Sequence, residues 1–454
     1  MRRVVAIAVM AIMVVGVAGV STAGAQGNGR QGVTGSEIRV GGRASPVSVL
    51  NVPYVDGFDG VNAYFDKVNK AGGVYGKKLK LVAQLDDQGA PSGNIRAVRS
   101  LVEEKKVFAV LPVMTNSFAG GSYLASKGVP TFGYNVDAGW CGTNAEGQAI
   151  QDNVIKNGIF TDQCPRTSLF GEKGSFLCFG CASIAPAYIA QQEGLTKGAI
   201  FTYTAPSSVA CSVGLEQSFK EYGIDLVYED KSLEFGFTDV SADVQAMKDK
   251  GVEFVATCMD FGGAFKISQG LKQAGVSDVT FYAPEGYRED TIKKFGKQLN
   301  NWFFGLSFAS WQDKQLPRGT KEYLAAMKKA GISPSEQSQA GWINAQLFVE
   351  GLKKAGKDFT QASLVDAVNS ITDFTADGML DGQDWTSAGN GHGPGHQACT
   401  AYVEAVNGKF VPRYGKPGQP FVCFPDNPRP PNLEDPYFLP LKPGETNPVT
   451  GVTK

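Results

Sequence analysis

Glu37-Ile38-Arg39-Val40-Gly41 opens the alternation that decides the fold of this chain. Polar and apolar residues change places along it, as in a short strand, here expected over 37–42. Further on, Phe58, Val61, Phe65 and Val68 recur at three- and four-residue spacing, one face of an amphipathic helix over 56–71. Gly72-Gly73 then stops it, because glycine accepts the left-handed backbone of a helix end. Leu79, Leu81, Ala83 and Leu85 return to strand alternation. A helix over 92–106, a strand over 107–111, a helix over 117–127 and a strand over 129–133 complete a first βα series.

The texture changes over 137–175, which is rich in Gly, Asn and Thr, holds two cysteines and keeps no period. It reads as an elaborated loop pinned by a disulfide. A second series follows, with helices expected over 185–193, 212–222, 240–250 and 264–274. Its strands fall at 199–203, 224–228, 252–258 and 279–283. These strands are nearly continuous apolar runs, as expected where helices cover both faces of a parallel sheet. The fold class is therefore α/β, with two lobes. Residues 302–308 read as a strand re-entering the first lobe, followed by helices over 320–330, 339–355 and 361–369. A hairpin is expected from 401–406 and 409–411 around Asn407-Gly408, and 425–454 form a Pro-rich tail.

The 454 residues suffice for two or three domains of roughly 150 residues each. With 43% hydrophobic and 19% charged residues and a formal charge of −1, the chain lacks the basic footprint of a nucleic-acid binder. Arg2-Arg3, the apolar run from Val4 to Val20 and Ala23-Gly24-Ala25 read as a signal peptide over 1–25, leaving Gln26 first. A retained anchor is the alternative, although the run falls short of the about 20 residues that span a bilayer comfortably. No Cys stands near the cleavage point to take a lipid. The chain is thus expected outside the cytoplasm, in the periplasm or on the cell-envelope exterior.

Eight cysteines, Cys141, Cys164, Cys178, Cys181, Cys211, Cys258, Cys399 and Cys423, lie beyond the leader. An even count in an exported chain argues for disulfides, with ~105 possible connectivities. Proximity favours Cys141 with Cys164 and Cys399 with Cys423. Cys211 and Cys258 follow two strands of one sheet and could also meet. Cys178-Phe179-Gly180-Cys181 is a CxxC, but without the helix start of a redox motif it reads as structural.

Several stretches together resemble the type I periplasmic binding proteins of the leucine/isoleucine/valine class, the substrate-binding components of ABC transporters. They are Glu37 to Gly41, the helix end Asn69-Lys70-Ala71-Gly72-Gly73-Val74-Tyr75-Gly76-Lys77-Lys78-Leu79, and the strand end Asp86-Asp87. In the second half, Asp239-Val240-Ser241 leads to Val252-Glu253-Phe254-Val255, and Gly275-Val276 to Phe281-Tyr282-Ala283-Pro284-Glu285-Gly286. The resemblance runs from about residue 33 to 424. It implies two Rossmann-like lobes with parallel sheets, joined by three crossover strands, with a solute clamped between them. The first lobe would be 33–177 plus 306–380, and the second 178–305 plus 381–424.

The resemblance also implies where a ligand sits. In the first lobe a carboxylate would meet Thr115, Asn116 and Ser117, at the start of the helix after strand 107–111; such residues also cap helices regardless of function. Tyr134 and Asn135 form the second contact point. Glu285, in its Pro-Glu-Gly turn, would pair with a ligand ammonium, since an unpaired buried charge costs several kcal/mol. Asp260 is a second acid of the same logic, and Ser207 with Ser208 could add hydrogen bonds. The chain departs from relatives in having Ala210-Cys211-Ser212 where many carry a Tyr-Gly pair. It departs again in Met114-Thr115-Asn116-Ser117 and in the loop 137–175, which would bring Trp140 near the cleft mouth.

These features point to capture of a small amino-acid-like ligand for an ABC permease, by a monomer, with no nucleic acid, cofactor, metal or catalytic residue. A sensor of the same fold signalling to a membrane receptor is the nearest alternative, and a secreted hydrolase the rival from another class. The latter has little to work with: the two histidines, His392 and His396, share one Gly- and Pro-rich loop, and no nucleophile elbow or phosphate loop is present.

Overall fold

The computed structural model describes residues 29–45, 52–142, 168–172, 184–386 and 398–424, with positions 149, 152 and 156. The leader, the CxxC at 178–181, Cys164, both histidines and the tail 425–454 lie outside the described residues.

The first lobe alternates β1 (Glu37–Ala44), α1 (Asp56–Lys70), β2 (Lys78–Asp86), α2 (Pro91–Arg99), β3 (Ala109–Met114), α3 (Gly121–Ser126), β4 (Thr131–Gly133) and β5 (Leu169–Gly171). All five strands are parallel, in the order β2-β1-β3-β4-β5. The second lobe continues with α4 (Ile184–Gln192), β6 (Lys197–Tyr203), α5 (Pro206–Glu221), β7 (Asp225–Leu233), α6 (Ser241–Lys250) and β8 (Phe254–Cys258). It goes on through α7 (Phe261–Gln273), β9 (Thr280–Tyr282), α8 (Glu289–Phe295) and β10 (Trp302–Leu306). The chain then forms α9 (Arg318–Ala330), α10 (Glu336–Ala355) and α11 (Gln361–Val368), and ends in β11 (Ala398–Val406), β12 (Lys409–Arg413) and β13 (Phe421–Phe424). The second sheet runs β12-β11-β10-β9-β8-β6-β7, parallel from β10 to β7, with β13 also on β11.

Three expectations are corrected here. Residues 302–306 do not re-enter the first lobe: β10 pairs with β9 and β11 in the second sheet. Its alternate residues fill opposite faces, Trp302 and Phe304 entering one apolar cluster and Phe303 another, and it is the pairing with β9 and β11 that assigns the strand to the second lobe. The loop 137–175 is not without order, because Leu169-Phe170-Gly171 adds a fifth strand to the first sheet and Ala138–Cys141 form a 3₁₀ turn. Trp140 is fully buried against Phe118, their ring centroids 4.6 Å apart, and lines the α2–α3 side of the sheet rather than a cleft mouth.

Helices α9, α10 and α11 return to the first lobe, where α10 packs along α1. Glycines let the two backbones approach. A Cβ on Gly60 would meet the Ser338 carbonyl oxygen at 1.7 Å, and one on Gly341 would meet the Gly57 oxygen at 2.0 Å. Gly60→Ala should therefore push the helices apart and cost about 1–3 kcal/mol. Urea unfolding of the variant beside the wild type checks this, and overlapping curves would refute the close approach.

Three chain passages cross between the lobes side by side. Ala309 N–H donates to the Met379 carbonyl (2.7 Å), and Gln383 Nε2 to the Glu172 carbonyl (2.9 Å). Cys211 and Cys258 form a disulfide that fastens α5 to the end of β8. Cys141 and Cys399 each belong to a further disulfide, and the ladder sets Cys399 opposite Cys423.

Candidate functional site

Parallel strands bring their following loops to one edge of each sheet, and here the two edges face each other. The first lobe presents Ser45 after β1, Asp87 after β2, Thr115 after β3, Tyr134 and Asn135 after β4, and Glu172 after β5. The second presents Asp260 after β8 and Glu285 after β9. One bond closes the gap: the Tyr134 hydroxyl donates to Glu285 Oε1 at 2.9 Å. A second contact lies beside it. Arg288 Nη1 stands 3.6 Å from Asp56 Oδ2 at the start of α1, and Tyr287 N–H donates to Glu336 Oε1 (2.7 Å) at the start of α10.

Around Glu285 the walls are tyrosines and acids. The Tyr54 ring lies 5.7 Å from that of Tyr134. Tyr203, the last residue of β6, donates from its hydroxyl to Asp260 Oδ2. Asp260 also caps α7, its Oδ1 accepting from the N–H groups of Gly262 (2.7 Å) and Gly263 (3.2 Å). Burial raises the Asp260 carboxyl above its ordinary value, against the pull of those bonds. Burial likewise lifts the Tyr54 phenol well above 10.0, and Glu285, Asp260 and Glu172 add to the shift. Tyr134 is raised in the same way, by burial and then by Glu285, Tyr54 and Glu172.

Beneath the loop after β3 lies a buried polar network. Arg43, at the end of β1 and 0% exposed, pairs with Asp87. Burial lowers the guanidinium to about 10, while Asp87 and Asp137 pull it back up. Asp87 accepts from Ser45 Oγ (2.8 Å) and Gly89 N–H (3.0 Å). Asn94 Nδ2 donates to the Ser117 carbonyl and its Oδ1 accepts from Gly120 N–H, both at 2.8 Å. Asp137 Oδ1 accepts from Phe118 N–H at 2.9 Å. The loop 115–120 is thus held from below by Asn94, Asp137 and Asp87, which accepts from Thr115 Oγ1 at 3.4 Å, with the Arg43 charge balancing two carboxylates.

This geometry sorts the residues expected from sequence. Thr115, Asn116 and Ser117 do not stand at a helix start, for β3 runs to Met114 and α3 begins at Gly121. Thr115 is 1% exposed and its Oγ1 is turned inward, accepting from Ser117 N–H at 3.2 Å. Asn116 and Ser117 are half-buried. Asn135 is buried against Gly171, where a Cβ would stand 1.9 Å from its Cγ. Ser207 is half-buried in the first turn of α5. Its neighbour Ser208 ties β6 to β8, accepting from Tyr203 N–H (2.9 Å) and donating to the Cys258 carbonyl (2.5 Å). Glu285, Tyr134 and Asp260 come together; Asn135 and Thr115 face inward. Sequence reasoning missed Tyr54, Tyr203 and Glu172. Only the position of Tyr203 at the carboxyl end of a predicted strand could have flagged one of them.

Among the described residues no group of three or more His, Cys, Asp or Glu is arranged to hold a metal ion, and no helix is long and apolar enough to cross a membrane.

The sequence pattern of the family described as periplasmic binding protein matches residues 53–409. No curated relative matches the chain. Among solved structures, the substrate binding protein LivJ of a branched-chain amino acid transporter from Streptococcus pneumoniae, in complex with isoleucine, is 18% identical with a TM-score of 0.65. The match covers 86% of this chain and 100% of that one. A fatty acid ABC transporter substrate-binding protein from Thermomonospora curvata is 15% identical with a TM-score of 0.65, covering 87% of this chain and 94% of that one. An ABC transporter solute binding protein from R. palustris in complex with benzoate is 16% identical with a TM-score of 0.63, covering 86% and 99%. At such identities these likenesses speak for the fold, two α/β lobes around a cleft.

Proposed function

Because this chain belongs to the periplasmic binding protein family, we propose that it captures a small amine-bearing solute, amino-acid-like, between its lobes and delivers it to an ABC permease outside the cytoplasm. The observation that carries this reading is the Tyr134–Glu285 hydrogen bond, which joins the carboxyl ends of the two sheets beside buried Tyr54 and Asp260. Clefts at the carboxyl ends of parallel strands suit small ligands, because loops and helix N-termini converge there. On this reading Glu285 receives the ligand ammonium, and Ser117 and Asn116 line the opposite wall. Ser207 belongs to the walls without a charge to offer, while Asn135 and Thr115 support the loops from within. The chain works as a monomer and performs no chemistry on its solute. Binding drives closure only through the ligand's differential affinity for the closed form.

Transport relatives named for isoleucine, a fatty acid and benzoate differ in cargo, so the ligand has to be read from this cleft. A thermal-shift screen of residues 26–454 against amino acids, small amides, polyamines and carboxylic acids tests capture. A micromolar ligand at millimolar concentration should stabilise the fold by about 4 kcal/mol. If the unfolding midpoint stays put for every compound and small-angle scattering shows no closure, the capture reading is lost.

A further inference from the structure

Resting on the capture reading above, we infer that the cleft takes an organic cation, a ligand of net positive charge held between Glu285 and Asp260, with the Tyr54 hydroxyl as a further specificity-determining contact. Tyr54 is 1% exposed, and its ring packs on that of Tyr134. A buried hydroxyl needs a hydrogen-bond partner, and this one, beside Tyr134 among the cleft carboxylates, is placed to meet a ligand's polar group. The groups that act electrostatically on it are Glu285, Asp260 and Glu172, three carboxylates delivered by three different strand ends.

The other two tyrosine hydroxyls already donate, Tyr134 to Glu285 and Tyr203 to Asp260. Such bonds favour the ionised carboxylates and aim them. Like charges gathered in a closing, low-dielectric cleft repel one another, so closure is favoured most by a guest that brings the opposite sign. A zwitterionic amino acid brings one charge of each sign and leaves the second acid uncompensated. A diamine, or an amino acid with a basic side chain, compensates both. The faces of Tyr54 and Tyr134 suit the same guest, since aromatic faces attract cations. Arg43, a buried cation of the first lobe, is engaged by Asp87.

Titration calorimetry of residues 26–454 with lysine, cadaverine, norleucine and benzoate tests the inference. Lysine and cadaverine should bind about tenfold or more tighter than norleucine, and their affinity should fall as salt is raised. Benzoate should not bind. Tyr54→Phe should weaken lysine about fivefold with the ligand-free unfolding midpoint unchanged. Asp260→Asn, which keeps the cap on α7, should weaken cadaverine more than norleucine. Norleucine binding as tightly as lysine, or benzoate binding at all, overturns the charge inference and leaves solute capture standing. Silence from all four probes overturns it too; a scattering profile then unmoved by neutral and anionic metabolites takes the capture reading with it. A Tyr54→Phe variant with wild-type lysine affinity removes Tyr54 from the contact.

Discussion

Glu285→Ala is expected to weaken binding of an amine-bearing ligand by about 100-fold or more. Truncating one partner of a buried, hydrogen-bonded charge pair costs about 2–5 kcal/mol, most of it the penalty on the charge left behind. The alanine would strand the ligand ammonium and also deprive the Tyr134 hydroxyl of its acceptor across the cleft. Tyr134→Phe provides the comparison, because it removes one neutral donor, keeps the carboxylate, and should cost only about 1 kcal/mol. Calorimetry on both variants separates the charge from the hydrogen bond. Unchanged affinity in Glu285→Ala would exclude the ammonium role.

The second large effect concerns stability rather than affinity. Asp87→Ala should lower the unfolding free energy by about 3–5 kcal/mol, because it leaves the Arg43 guanidinium buried without its ion-pair partner. Ser45 Oγ and Gly89 N–H would lose their acceptor in the same step. Removing both charges, with Arg43→Met added, should recover part of the loss, since the stranded charge is the larger cost. Urea unfolding of the single and double variants decides the matter. A double variant less stable than Asp87→Ala alone would show that Arg43 holds the loop 115–120 through something other than its charge balance.

Much of the architecture was legible because its causes are local. The spacing of Phe58, Val61 and Phe65 gave α1, and Gly72-Gly73, both at positive φ, ended it. The apolar runs at 199–203 and 252–258 correspond to β6 and β8, parallel neighbours in the second sheet, and the cysteines expected to meet there do so. Short elements were harder. Leu169-Phe170-Gly171 is too brief for any period to register, and only pairing with β4 makes it a strand. Trp302–Leu306 was recognised as a strand but assigned to the wrong lobe, because alternation says which faces are apolar and not which sheet receives them.

The binding edge followed the same division. Residues after strand ends could be picked out from sequence, and Glu285, Asp260 and Tyr134 do converge. Which way a side chain turns could not: Thr115 points into the network under its own loop, and Tyr54, ahead of α1 with no pattern to mark it, joins the acids.

What the sequence by itself determined, then, is the order and type of the longer elements, since helix and strand periods and glycine stops act over a few residues. Only the tertiary structure decided that Tyr134 meets Glu285, 151 positions apart. That encounter depends on how three crossing passages set one sheet edge against another, and no local stretch of chain carries that information.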